Sequence, residues 1–179
     1  MSGPYGVILA DPPWRYEAGT TNAARTIERH YETMAHDELC ALPVAGMAAT
    51  DAVLFLWATN PKLEEALALM RSWGFRYRTA AVWVKPHMGM GYYVRAQHEP
   101  LLIGICGRPK VPRPGVRPRS VIFAKRRRHS EKPPEVHELI ERMYPDARRL
   151  ELFARRPRDG WDVWGNESAP VPFAMEMQA

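Results

Sequence analysis

The segment VILADPPW, residues 7–14, decides how this chain folds and where its chemistry lies. Its first four residues are all apolar, which is typical of a strand buried on both faces of a sheet. The strand has to end near Pro12, because proline lacks the backbone N–H that a sheet ladder needs. A carboxylate, two prolines and an indole therefore follow the strand directly, at a point where their polar atoms are available to a ligand.

This turn suits a flat aromatic amine such as adenine N6. The amine carries two N–H donors, which the Asp11 carboxylate and the Pro12 carbonyl can accept together. Trp14 can stack on the attached base, an interaction worth about 1–3 kcal/mol per base. The turn has a purely structural alternative, in which the prolines stiffen it and Trp14 fills a gap in the core.

Short apolar runs recur along the rest of the chain and predict further buried strands. They are rich in β-branched and aromatic residues, as strands of a parallel or mixed sheet are. The runs are Val7–Ala10, Val53–Trp57, Ala80–Val84, Leu101–Ile105, Val121–Phe123 and Leu150–Phe153.

Helical patterns lie between these runs. One helix is predicted with Asn60 as its N-cap, Pro61 at its first position and Gly74 at its end. Its inward stripe is predicted to be Leu63, Leu67 and Met70.

A second helix opens at Pro133-Pro134 and ends before Pro145, and a weaker one covers about residues 36–42. The inward face of the second helix is predicted to be Val136, Leu139, Ile140 and Met143. Alternation of strands and helices predicts an α/β fold of three layers. Residues 15–29, 86–98 and 108–119 read as loops, and the last of these contains four prolines.

Length and composition indicate one soluble domain. The 179 residues suffice for a sizeable core, and we expect a single domain over residues 1–167 with a disordered tail over 168–179. Neither a membrane-spanning apolar run nor a signal peptide is evident, which favours a cytoplasmic protein. Cys40 and Cys106 are expected to be buried free thiols, and no Cys/His spacing suggests a zinc site.

The net charge of +5 is concentrated in one part of the chain. Residues 100–130 contain nine lysines and arginines and no acidic residue, and the remainder holds 16 basic against 20 acidic residues. Such a stretch favours a surface that binds a polyanion. The alternative is a solvated loop whose charges only aid solubility.

The segment DPPW resembles the signature of the N6-adenine methyltransferases typified by the catalytic subunit of the mRNA adenosine methyltransferase. Five other segments resemble that family in the same order and extend the likeness over about residues 7–167. They are YETM (31–34), VWVK (82–85), HSEKP (129–133), LELFAR (150–155) and WGNE (164–167). The resemblance implies a Rossmann-like methyltransferase fold, circularly permuted so that the target-base motif precedes the cofactor strand.

The resemblance also implies S-adenosylmethionine as the cofactor, and with the turn chemistry it assigns roles to residues. The catalytic residues are then Asp11, Pro12, Pro13 and Trp14. Lys132 pairs with the donor's carboxylate, with Arg158 as a further candidate for that grip. The other donor-binding residues are Glu151, Phe153, Arg155, Asn166 and Glu167. The residues expected to meet the substrate are Tyr16, Tyr31, Arg126, Arg127 and Arg128.

Several of these residues have plainer interpretations when considered alone. Lys132 is then an exposed lysine, Glu151 a strand-edge charge, Phe153 a core residue, and Asn166 and Glu167 a turn. The absence of G-x-G-x-x-G argues against a nicotinamide or flavin enzyme.

The favoured function is methyl transfer to adenine N6 in nucleic acid, with DNA favoured over RNA. A target base in a duplex has to be flipped out. Recognition is expected to fall to the basic, proline-rich loop or to a partner subunit, and a homodimer is also considered. One alternative is a non-catalytic nucleic-acid-binding subunit that supports a methyltransferase partner. Another is methylation of a protein glutamine or of cytosine N4.

Overall fold

The computed structural model describes residues 3–16, 33–91, 93–125 and 131–165, and a seven-stranded sheet runs through them. The strands lie in the order β5-β3-β4-β2-β1-β6-β7. Their bounds are β1 Tyr5–Ala10, β2 Ala48–Trp57, β3 Arg76–Val84, β4 His98–Cys106, β5 Val121–Phe123, β6 Arg149–Leu152 and β7 Asp162–Trp164. All six predicted strands are therefore confirmed, and β7 is an addition.

The strands share one direction, with the exception of β4. β1 pairs in parallel with β2 and β6, β3 with β5, and β6 with β7, whereas β4 is antiparallel to both β2 and β3. The carboxyl ends of the parallel strands and the start of β4 consequently meet at one edge of the sheet. We call this the site edge and the opposite one the far edge. Ligands of open α/β sheets bind outside the carboxyl ends of the strands, so the site edge is the place to search.

Helices cover both faces of the sheet, which confirms the predicted three-layer α/β fold. They are α1 His36–Cys40, α2 Val44–Met47, α3 Leu63–Ser72 and α4 Glu135–Met143. Alternate residues of β1 point to opposite faces, as the period of a strand requires. Ile8 joins the core cluster that contains α1 and α3, and Leu9 joins the cluster that contains α4. The circular permutation stays a prediction.

The start of α3 differs from the prediction. Asn60 is not its N-cap but the first residue of a 3₁₀ turn, Asn60–Lys62, and the α-helix begins only at Leu63. This turn changes the phase of the helix, so Leu63 is 38% exposed. The residues of α3 that are buried against the sheet are Ala66, Leu69 and Met70.

The predicted end of α3 is confirmed. Gly74 has a φ of +82°, its N–H donates to the carbonyl of Arg71, and the N–H of Phe75 donates to that of Met70. This is a Schellman motif, which favours glycine because the left-handed conformation is strained for other residues. It turns the chain sharply into β3.

The predicted inward face of α4 is also confirmed. Val136 and Ile140 are buried, and Leu139 and Met143 pack against the same cluster. Cys40 and Cys106 are free thiols as expected but half-buried rather than buried. Across the described ranges no helix is both long and apolar enough to cross a bilayer. The predicted tail, 168–179, lies outside the described residues.

Candidate active site

The turn after β1 is fixed by its own backbone. The carbonyl of Pro12 accepts the N–H of Trp14 at 2.9 Å, and the carbonyl of Pro13 accepts that of Met34 at 2.9 Å. A parallel bridge between Trp14 and Met34 ties the turn to the start of α1. A carbonyl has two lone pairs, so Pro12 retains one acceptor site after its internal bond.

Trp14 supports this turn from the side of the core. It is 6% exposed and belongs to the cluster that lies under α1 and α3. Its indole nitrogen is buried and has no hydrogen-bond partner within the described part of the chain. The packing is that of the structural alternative, and stacking of Trp14 on a base stays a prediction.

Asp11, the first residue after β1, is paired with Lys132. Lys132 lies in the segment just before α4. Its Nζ is 2.7 Å from Asp11 Oδ1 and 2.8 Å from Asp11 Oδ2. Burial raises the pKa of the Asp11 carboxyl above its ordinary value, against the opposing charge of Lys132. A carboxylate offers about four lone-pair positions, so the ion pair leaves Asp11 able to accept further N–H groups.

Lys132 also faces Glu99, the second residue of β4, at 3.4 Å. Burial acts to lower the pKa of Lys132, but the carboxylates of Asp11 and Glu99 outweigh it and raise that pKa. Glu99 in turn is held by Lys85 at the end of β3. Burial acts to raise the pKa of Glu99, but Lys132 and Lys85 together lower it. The ends of β1, β3 and β4 and the segment before α4 thus meet in an alternating row of charges.

Two tryptophans lie beneath this row. The ammonium of Lys132 is 5.7 Å from the centroid of the Trp57 ring, and that of Lys85 is 5.0 Å from the Trp83 ring. The two indoles meet edge to face with centroids 6.2 Å apart. Aromatic faces attract cations, so this floor adds about 0.5–2 kcal/mol per contact to the placement of the lysines.

Glu99 and Lys85 are site residues that the sequence analysis missed. The segment VWVK is only a family match in the sequence analysis, and Glu99 lies between the predicted loop 86–98 and the predicted strand Leu101–Ile105. A signal for both exists, because each is a charged residue within two positions of a predicted apolar run, Ala80–Val84 or Leu101–Ile105. Because β4 is antiparallel, its first residues lie beside the last residues of β3, and this brings the two charges together.

A cleft of about 370 Å³ opens beside Asp11, between the site edge and the start of α4. Four of the predicted donor-binding residues line it: Lys132, Glu151, Phe153 and Arg155. Its apolar walls include Leu9, Trp57 and Val136. This volume and this mixture of apolar walls with a few polar groups are typical of sites for small molecules.

Glu151 is oriented by a histidine that the sequence analysis did not single out. The His137 Nε2 lies 2.9 Å from Glu151 Oε2, and the His137 ring meets Trp161 edge to face at 5.2 Å. His137 Nδ1 is buried without a partner among the described residues. Because a carboxylate oxygen only accepts, His137 Nε2 is the donor in this contact and fixes the position of Glu151.

Phe153 follows β6 directly and has a φ of +64°, the single positive φ of a non-glycine residue in the described ranges. An aromatic side chain in the left-handed region costs of the order of 1–3 kcal/mol, and such strain is concentrated at functional sites. The ring lines the cleft and packs edge to face on Trp164, with centroids 5.4 Å apart.

Arg158 also lines the cleft, but its guanidinium is engaged by α4. It donates from Nε and Nη2 to the two carboxylate oxygens of Glu141, at 2.8 and 3.0 Å. The indole N–H of Trp161 donates to the same carboxylate at 2.8 Å. Arg158 thus holds the 155–161 segment onto α4, which differs from its expected role as a grip on the donor.

The remaining predicted residues do not join this cleft or lie outside the description. The Tyr16 hydroxyl is 2.7 Å from Thr59 Oγ1, and its ring faces Lys62, beyond the end of β2. Outside the described residues are Tyr31, Arg126, Arg127, Arg128, Asn166 and Glu167. Within the described ranges, no group of three or more His, Cys, Asp or Glu side chains is arranged to hold a metal ion.

The donor set of the cleft fits S-adenosylmethionine. That cofactor presents a carboxylate, an ammonium, ribose hydroxyls and a flat base, and the cleft offers partners for each. Lys132 is a cation for the carboxylate, and Arg155 is a hydrogen-bond donor for the ribose or base. Glu151 is an acceptor for the ammonium or hydroxyls, and Phe153 is an apolar wall. The strained backbone of Phe153 is consistent with a position shaped by a ligand rather than by packing alone.

Comparison with known proteins agrees with this site. The MT-A70 family model matches residues 5–167. The Type II methyltransferase M.MunI of Mycoplasma sp. is 36% identical over 180 residues, which cover 91% of this chain and 77% of that protein. The N(6)-adenosine-methyltransferase MT-A70-like protein of Arabidopsis thaliana is 35% identical. The human N(6)-adenosine-methyltransferase catalytic subunit METTL3 is 30% identical.

The two eukaryotic matches each cover 92% of this chain but only 24% and 28% of the relatives' own length. The chain therefore spans about a quarter of those proteins and most of the bacterial one. The family match covers nearly all of the described residues and includes every element that builds the cleft. The chain belongs to the MT-A70 family of N6-adenine methyltransferases.

Proposed function

We propose that this protein transfers a methyl group from S-adenosylmethionine to the N6 amine of adenine in nucleic acid, with DNA as the favoured polymer. The observation that carries the proposal is the position of Asp11. Its carboxylate lines the same cleft as the predicted donor-binding residues. Lys132 holds that carboxylate in place. The carboxylate that accepts the target amine and the residues predicted to bind S-adenosylmethionine thus line the same cleft.

The cofactor supplies an electrophilic methyl group attached to a positively charged sulfur. The new N–C bond forms as the C–S bond breaks, and one of the two N6 protons is then lost to water. Orientation is the main requirement of such an in-line displacement and supplies several kcal/mol of the barrier. The short turn after β1 is suited to this task, because its backbone bonds to Met34 leave it little freedom.

Asp11 and Pro12 orient the amine. The N6 lone pair is delocalised into the adenine ring, and acceptance of both N–H groups favours the tetrahedral geometry that releases it. The carboxylate of Asp11 takes one N–H and the free lone pair of the Pro12 carbonyl takes the other. Asp11 acts as a hydrogen-bond acceptor, so the reaction requires no strong base.

Lys132 connects the two halves of the site. A lysine ammonium has three donors, and both oxygens of Asp11 and one oxygen of Glu99 lie within their reach. The family resemblance implies that one of these N–H groups turns to the carboxylate of S-adenosylmethionine when the cofactor binds. One cation would then fix the methyl donor and the group that receives the target amine. Arg155, Glu151 and Phe153 would complete the grip on the ribose and base of the donor.

The nature of the polymer is inferred from the relatives and from charge. This chain covers most of the bacterial M.MunI and only a quarter of the eukaryotic relatives, which favours DNA over RNA. The exposed cations of residues 108–119 suit a phosphate backbone of either kind. A base in a duplex has to be flipped out to reach Asp11.

Incubation of the purified chain with isotopically labelled donor and separate DNA and RNA pools tests the proposal. The nucleic acid is digested, and modified nucleosides are identified by mass spectrometry. We expect mainly labelled N6-methyl-2′-deoxyadenosine, which comes from the DNA pool. Labelled N4-methylcytosine, or label on protein alone, would contradict it. Binding of the donor is measured in parallel by calorimetry, since a non-catalytic subunit with a degenerate pocket would not bind it.

A further inference from the structure

The loop of residues 108–119, which we call the basic loop, begins at the far edge of the sheet and not beside the site. β4 runs antiparallel, so its last residue, Cys106, lies at the far edge. Gly107 follows with a φ of +60°, and a Cβ there would lie 2.2 Å from the carbonyl oxygen of Thr50. The N–H of Arg108 donates to Asp51 Oδ1 at 2.6 Å, which anchors the start of the loop to the start of β2.

The other end of the basic loop lies much nearer the site edge. The carbonyl of Ser120 accepts the N–H of Val82 at 2.8 Å, and β5 then pairs with the last residues of β3. Because the loop starts level with the beginning of β3, it climbs past about six residues of that strand. At about 3.3 Å per residue this is roughly 20 Å along the strand direction.

The loop has a defined shape with its cations outward. Four prolines restrict it, a 3₁₀ turn covers Pro114–Val116, and Arg117 Nε donates to the carbonyl of Pro112 at 2.8 Å. Its charged residues are all exposed and all basic: Arg108, Lys110, Arg113, Arg117 and Arg119. A preformed cationic surface loses less conformational entropy on binding than a mobile one.

The position of the loop decides what it can contact. β5 is separated from β1 by β3, β4 and β2, and four spacings of about 4.8 Å put Asp11 roughly 20 Å away across the sheet. Cations at this distance do not reach the edges of a base held at Asp11. They do reach phosphates further along the same strand or duplex, at 3.4 Å per base pair.

We propose that the basic loop binds the phosphodiester backbone of the substrate about six base pairs from the target adenine, and that it contributes affinity without reading sequence. This inference rests on the proposed function and refines it, because recognition had been expected to involve this loop. Its consequence is a minimum substrate length. Nucleic acid too short to span both places gains nothing from the loop.

The test compares two double variants on two substrates. Lys110→Gln with Arg113→Gln removes two exposed loop cations whose side chains form no hydrogen bond or ion pair with other described residues. Arg71→Gln with Arg142→Gln is the matched control, since both arginines are exposed, lie near the ends of helices and are not part of the basic loop. Affinity is measured by fluorescence anisotropy, with donor present, on a duplex of about 24 base pairs and on a hairpin whose stem has about six, with the target adenine at the centre of each.

On the long duplex, we expect the loop variant to bind about tenfold more weakly than the wild type at physiological salt. The slope of log K against log salt should fall by about 2, and the control should change neither quantity appreciably. On the short hairpin, loop variant and wild type should bind alike. A long-duplex loss no larger than that of the control, or an equal loss on both substrates, would overturn the proposal.

A duplex RNA of the same sequence shows whether the contact depends on the phosphodiester backbone or on DNA geometry. Equal losses on both polymers support a backbone contact, and a loss of sequence preference in the loop variant contradicts it. Calorimetric binding of the donor should be the same for all the proteins. If the wild type methylates nothing, the proposed function fails. The comparison of affinities still tests whether the basic loop binds the phosphodiester backbone.

Discussion

The ammonium of Lys132 lies 2.7 Å from a carboxylate oxygen of Asp11 and 3.4 Å from one of Glu99. One cation thus joins the end of β1 to the start of β4, from a segment that precedes α4. The three groups are close only when the helix is docked on the sheet. Formation of the charge row is therefore coupled to closure of the layer that makes the cleft.

Replacement of Asp11 by asparagine should separate the chemistry from the fold. The amide keeps the size and one acceptor oxygen but lacks the negative charge, so it holds the target amine poorly. We expect the single-turnover rate of methyl transfer to fall about 10²–10³-fold, as for loss of one group that stabilises a transition state. The thermal midpoint should change little, because Lys132 keeps Glu99 as a partner and burial of the Asp11 charge is itself costly.

The control for this substitution is Asp146→Asn, an exposed residue between α4 and β6. It should leave rate and thermal midpoint unchanged. An Asp11→Asn enzyme with a rate within about threefold of the wild type would remove Asp11 from the mechanism.

Replacement of Lys132 by methionine should destabilise the protein through the acids it leaves behind. Asp11 and Glu99 would then share a poorly solvated space without their common cation. Loss of one partner from a buried pair costs about 3 kcal/mol in the free energy of unfolding. Glu99 keeps Lys85 as its partner, but its charge acts unfavourably on that of Asp11. A second substitution, Glu99→Gln, removes this repulsion and should restore part of the loss.

Urea denaturation of the wild type, both single variants and the double variant gives this coupling directly. A double variant less stable than Lys132→Met alone would show that repulsion between Asp11 and Glu99 does not cause the loss. The affinity of the same proteins for S-adenosylmethionine, measured without urea, reports whether Lys132 also binds the cofactor.

His137 should act on donor binding through Glu151. In His137→Gln the amide nitrogen can replace Nε2 as the donor, whereas in His137→Phe the ring remains and the donor is lost. We expect donor Kd within about threefold of the wild type for the first variant, and about tenfold weaker for the second. Isothermal titration measures both, with exposed His87→Gln as the control. Equal affinities for the two variants would assign His137 to packing alone.

Much of the fold was predictable because buried strands carry their signal locally. Each continuous apolar run became a strand, and Gly74 ended its helix as expected. An apolar run does not encode direction, so the antiparallel β4 could not be read from Leu101–Ile105. β7 was missed because Asp162–Trp164 is short and, as the outermost strand, pairs only with β6.

The site was predictable in its parts but not in its pairing. The sequence predicts that Asp11 meets the target amine and that Lys132 meets the carboxylate of the methyl donor. It does not show that these two residues, 121 positions apart, bind one another. His137 was missed because a histidine on a helix face has no distinctive spacing. Only the three-dimensional register of α4 against β6 shows that it meets Glu151.

The junction of Glu141, Arg158 and Trp161 predicts a specific dependence of stability on pH. Hydrogen bonds from Arg158, and to a lesser extent from Trp161, lower the pKa of Glu141 from 4.5 to about 2, against the opposing effect of burial. The folded protein therefore binds this proton less tightly than the unfolded chain does. The stabilisation from Glu141 is complete above pH 4.5 and is lost as pH falls towards 2.

Glu141→Gln should accordingly lower the thermal midpoint most at neutral pH, and the difference from the wild type should shrink steadily below about pH 4.5. Thermal unfolding followed by circular dichroism at a series of pH values measures this difference. Glu64→Gln, at an exposed position in the first turn of α3, provides a comparison outside the junction. Arg158→Met should mimic Glu141→Gln at neutral pH, because it removes the bidentate partner from the same carboxylate. A gap between wild type and Glu141→Gln that stays constant down to pH 3 would mean that the Arg158 contact does not persist in solution.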